Sequence, residues 1–66
     1  MKDYQQRVVD EQVELNTKIG KLLVFLGTSK FHDMSIDEQA RLQRQYSAMQ
    51  KYSDVLAERV AAFQEV

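Results

Sequence analysis

SIDEQARLQRQYSAMQKYSDVLAERVAAF, residues 35–63, carries apolar residues at alternating intervals of three and four. Leu42, Tyr46, Met49, Leu56, Val60 and Phe63 fall on one seam, with Ser53 in the same register. That spacing puts them on one face of a long helix. Ser35 followed by Glu38 is the capping-box pattern that opens such a helix. Working outward, Val8, Gln12, Leu15, Ile19, Leu22 and Leu26 form a second seam of the same period. The two seams predict helices over about 4–26 and 36–64 with a connection over 27–35, in one hairpin domain spanning 1–66. Asp3 is the expected N-cap of the first helix, and Gly27 its left-handed C-cap. Phe31 and Met34 are expected to plug the closed end.

At about 34 and 42 Å these helices are unequal, so the second overhangs the first or meets a partner there. A connection this short forces antiparallel packing. A lone pair of helices covers only part of each apolar face. At 66 residues, with no cysteine and one histidine, neither disulfides nor a metal can supply the missing stability. The expected architecture is therefore all-α: an antiparallel two-helix hairpin that assembles into a homo-oligomeric helical bundle.

The chain is 29% charged, lacks proline and has no apolar run long enough to span a bilayer, which reads as a soluble, cytoplasmic helical protein. A net charge of −1 argues against a duplex nucleic-acid binder. The charge is unevenly spread. Leu15 to His32 and Gln39 to Ser53 contain no acid, but they hold Lys18, Lys21, Lys30, Arg41, Arg44 and Lys51. Folding about the loop is expected to join Lys18 and Lys21 with Arg41 and Arg44 in one basic belt.

Tyr4, Arg7, Glu11, Glu14, Lys18 and Lys21 form a stripe flanking the first seam. The plain reading is a solvated flank, with Glu14 and Lys18 as an i,i+4 pair. The sharper reading is a phosphorylated-purine site, with a ring to stack on at one end and cations for phosphates at the other. Tyr4 and Lys18 stand about 21 Å apart on one helix, so such a site needs a second copy. Gln12 and Ser53 read as polar register setters, Tyr46, Met49 and Tyr52 as packing, and His32 as a surface residue. No phosphate loop, HExxH, nucleophile elbow or paired-carboxylate arrangement is present, so neither an enzyme nor a cofactor is expected.

Tyr4 to Glu11, Glu14-Leu15 and Lys18-Ile19, then Phe25 to Phe31, Glu38, Leu42, Gln45, Met49, Tyr52, Leu56 and Glu58-Arg59-Val60 resemble a known family. They look like the phage and prophage helical hairpins that act as anti-CBASS signal sponges, a hairpin shared with anti-Thoeris sponges. The resemblance implies a homo-oligomer, a hexamer, that sequesters cyclic dinucleotides such as cGAMP, and cyclic trinucleotides, without cleaving them. Host antiphage effectors are thereby starved of their messenger. It assigns base stacking to Tyr4 and a phosphate contact to Lys18 from a neighbouring protomer, with Lys21 as the alternative. Arg7 and Arg44 join the ligand-binding set from the charge map alone. A competing reading is a small helical inhibitor that docks on a host protein through exposed Phe31 and Met34.

Overall fold

In a computed structural model, described over residues 2–63, three helices run in the order α1 (Asp3–Leu26), α2 (Ser29–His32) and α3 (Ile36–Ala62). The expected helix end at 64 lies outside the described residues. α1 and α3 pack antiparallel into a rod of 49 × 14 × 14 Å. Both seams face inward as read. Val8, Leu15, Ile19 and Leu56 are buried, and Tyr46, Met49, Val60 and Phe63 pack around them. Leu56 is fully enclosed.

Register is fixed by one polar contact across the seam. The Ser53 hydroxyl donates to Asn16 Oδ1 at 2.7 Å. Ser53 plays the register-setting part expected of it, with Asn16 as its partner. Ser53→Ala should leave that carbonyl oxygen without its donor and cost about 1 kcal/mol of stability in urea unfolding. An unchanged midpoint would mean that water serves Asn16 equally well.

The helix ends depart from expectation in detail. Lys2, in extended conformation, is the N-cap of α1, and Asp3 is its first helical residue. The Asp3 carboxylate thus lies in the first turn, where a negative charge suits the helix dipole. Gln5 closes the start by accepting from the Lys2 backbone N–H at 3.0 Å. At the other end Gly27 has φ −92° and ψ 4°, so it is not left-handed. The Gly27 and Thr28 N–H groups tighten the last turn onto the Val24 and Phe25 carbonyls. The extended Thr28 backbone then breaks the helix, and its hydroxyl caps α2 by accepting from the Phe31 N–H. A side chain at Gly27 would meet the Val24 carbonyl at an ordinary 3.5 Å. Gly27→Ala should therefore stabilise the fold by about 0.4–1 kcal/mol in thermal unfolding, the reverse of what a left-handed cap requires.

The connection is not a plain loop, because α2 seats Phe31. That ring is 2% exposed, edge-on to Phe25 at 6.1 Å and to His32 at 5.3 Å. The plug forms as expected, and with Phe31 buried the protein-docking reading loses its principal anchor. Ser35 caps α3 by accepting from the Glu38 N–H at 3.2 Å. The reciprocal half of the box is not made, since Glu38 instead accepts from Arg41 Nε at 2.8 Å. At the open end Tyr4 meets Phe63 edge-on at 5.8 Å, so α3 is matched by α1 there and does not overhang it. No helix among the described residues is long and apolar enough to cross a membrane.

Candidate ligand-binding flank

α1 is the scaffold of the candidate site. At 100° per residue Arg7, Glu14, Lys18 and Lys21 project from one flank of it, beside the arc that packs on α3. Tyr4 stands at the edge of that flank at the open end. It is 53% exposed, with one edge held by Phe63 and the rest of the ring free. Arg7, Lys18 and Lys21 are exposed. The expected Glu14–Lys18 pair does not form. Among the described residues the one ion pair within 4 Å is Arg41–Glu38, far along the rod. Solvent alone screens the lysines, so an incoming phosphate would displace no carboxylate.

The basic belt is arranged differently from expectation. The Asn16–Ser53 bond sets the register, which brings Lys51 level with Lys18 and Ala48 level with Lys21. Arg44 comes level with Phe25, one turn nearer the closed end than Lys21, and Arg41 lies further still. Arg44 lines a shallow groove with Ala40, Gln43, Ser47, Ala48 and Lys51, all residues of α3. Tyr4, Arg7, Lys18 and Lys21 thus share a flank, and Arg44 stands apart from them on the other helix.

Tyr52, read from the sequence as a packing residue of core and interface, is 44% exposed in the hairpin. Helical geometry puts it on the side of α3 that adjoins the charged flank of α1, level with Thr17 and Lys18. Sequence alone gave one signal for this: Tyr52 lies one position off the Met49–Ser53–Leu56 seam. Among the described residues no group of three His, Asp or Glu side chains is placed to hold a metal.

The flank cannot enclose a ligand within one chain. Its aromatic and its lysines stand at opposite ends, about 21 Å apart, and the surface between them is convex. Stacking and phosphate contact on the same small molecule would need a second copy of the helix.

Comparison with known proteins agrees with a phage origin for this sequence pattern. The chain is 40% identical over 60 residues to a protein of Enterobacteria phage T4, described as an uncharacterized 7.5 kDa protein in the denB-rIIB intergenic region. The match covers 91% of this chain and 94% of that protein. No solved structure matches the chain. The family described as Sequestin matches residues 2–62, nearly the whole of both helices and their connection. The chain belongs to the Sequestin family.

Proposed function

We propose that this protein sequesters cyclic oligonucleotide messengers, cyclic dinucleotides such as cGAMP first and cyclic trinucleotides second. It does so in the cytoplasm of the infected bacterium, without altering them, and so blocks CBASS-type immunity. The family description, the phage relative and the resemblance noted above support sequestration as the mode of action. The observation that carries the ligand class is the flank itself: a half-exposed Tyr4 at one end and lysines free of carboxylate partners at the other.

Two copies pairing antiparallel through this flank would bring Tyr4 of one to the level of Lys18 of the other. Arg7 would come within one residue of the level of Glu14 of the second copy, a complementary contact. Glu11 would face its own copy near the dyad, with Arg7 one turn away on each chain to offset the repulsion. The dyad makes two equivalent clefts, one at each end of the pair and about 21 Å apart, and each would take a base on Tyr4 of one copy and a phosphate on Lys18 of the other. Lys21 is the alternative phosphate contact three residues on. Arg44 has no place in this cleft and is the weakest member of the expected set. The working unit is a hairpin domain multiplied by self-association, a hexamer in its full form.

A sponge returns what it takes up. Equilibrium dialysis against cyclic di- and trinucleotides should show saturable uptake, and heat denaturation should release the ligand chemically intact. Linear products in the released fraction would mean an enzyme, and absence of uptake would remove the nucleotide reading.

A further inference from the structure

Three tyrosines stand along the hairpin, and the fold accounts for two of them. Tyr4 rests edge-on against Phe63. Tyr46 packs on the core, and its hydroxyl accepts from Gln50 Nε2 at 2.9 Å. Tyr52 is exposed, and among the described residues it makes neither an aromatic pair nor a hydrogen bond through its hydroxyl. A large ring that does so little for the hairpin is open to a contact outside it.

The place of the ring decides what that contact is. The register set by Asn16 and Ser53 brings Tyr52 level with Thr17 and Lys18. At 100° per residue Tyr52 lies about 75° round α3 from the core direction, and Lys18 lies the same way round α1, to the same side. With helix axes about 8–10 Å apart, their Cα atoms stand roughly 8 Å apart and both side chains leave the surface in one direction.

Side chains on a helix lean over the preceding turn, which for Tyr52 holds Met49 and Ala48. Ala48 offers only a methyl group and is itself exposed. It is level with Lys21, so the Tyr52 ring falls between the levels of the two lysines. From Gln45 to Arg59 this side of α3 carries no acid, since Asp54 and Glu58 lie about 120° or more round the helix from Tyr52. One chain thus sets an exposed ring beside exposed cations, which Tyr4 and Lys18 cannot do within a chain.

We infer that Tyr52 is a ligand-contact residue of the nucleotide cleft. Its ring covers one face of the base whose other face stacks on Tyr4 of the second copy, and Lys18 beside it holds the phosphate. The inference rests on the sequestration reading and adds to that cleft a third side chain. In antiparallel pairing about Glu11 the copies touch from Arg7 to Glu14, and each cleft opens beyond that contact. Tyr52 is level with the cleft and not with the contact, so it meets ligand and not the partner helix. A base held between two rings has both of its flat faces out of water, which suits capture without reaction.

Isothermal titration with cGAMP tests this on Tyr52→Leu and Tyr52→Phe, with assembly followed by sedimentation velocity. Leucine keeps apolar bulk and favours helix, so the hairpin should melt no lower and should assemble as the wild type does. It has no aromatic face, and affinity should fall about fivefold to a hundredfold. Tyr52→Phe keeps the ring and should bind within a few-fold of the wild type. A Tyr52→Leu chain that binds like the wild type, or that loses binding only because it no longer assembles, would overturn the inference. Tyr4→Ala in the same series separates the two ideas. Loss of affinity on Tyr4→Ala with none on Tyr52→Leu spares the sequestration reading and removes Tyr52 from the cleft. A wild-type chain that takes up no cGAMP or other cyclic dinucleotide ends both.

Discussion

Leu56→Ala should leave the chain largely unfolded at room temperature, with its helical circular dichroism lost or its melting range lowered below ambient. Leu56 is fully enclosed at the centre of the core, between Val8, Leu15 and Ile19 on α1 and its own neighbours on α3. Truncating a buried leucine costs about 2–5 kcal/mol, since transfer energy is lost and a cavity remains. A domain this small has little more than that in total. The side chains around Leu56 project from two rigid helices and cannot collapse onto the gap, which places the cost toward the upper end. Leu23→Ala is the contrast: Leu23 is 54% exposed, and its loss should leave the hairpin fold intact. Comparable loss of helix in both variants would mean that the core is not where the seam puts it.

Lys18→Ala and Tyr4→Ala should each weaken nucleotide binding sharply in a folded protein. Each substitution removes its contact from every site, because every chain contributes the same residue. Stacking a base on an aromatic ring is worth about 1–3 kcal/mol, and a charge-assisted hydrogen bond about 1.5–3. Either loss alone gives a drop of roughly fivefold to somewhat over a hundredfold in affinity. Lys18 is exposed and makes no ion pair, so its removal should leave the melting temperature unchanged. Tyr4 also rests on Phe63, so Tyr4→Ala should cost a further 0.5–1.5 kcal/mol or so of stability. Tyr4→Phe keeps both the ring and its contact, and should bind within a few-fold of the wild type. Isothermal titration with a cyclic dinucleotide reads all three.

Most of the fold was legible because helical periodicity is a local property. Val8, Leu15, Ile19 and Leu56 are buried where the three-and-four spacing put them, and Phe31 closes the end as its place after Gly27 suggested. What was missed depends on register, which spacing leaves free by a turn or more. Spacing did not single out Asn16 as the partner of Ser53. The same slip misplaced Arg44 against Lys18 and Lys21. Gly27 invited a left-handed cap, but Thr28 ends the helix by starting α2, an alternative that glycine content does not reveal. On the candidate site, sequence grouped Tyr4, Arg7, Lys18 and Lys21 correctly on one flank.

Whether Tyr4 and Lys18 serve one ligand from different chains is decided by mixing the two weakened variants. Tyr4→Ala and Lys18→Ala chains, unfolded together in equal amounts and refolded, should form shared assemblies. Where an intact Tyr4 from one chain meets an intact Lys18 from the other, a complete site returns. Random pairing gives about one site in four, with wild-type affinity. Titration of the mixture should therefore recover about a quarter of the wild-type stoichiometry. A mixture that binds no better than its two components would contradict a site built between copies.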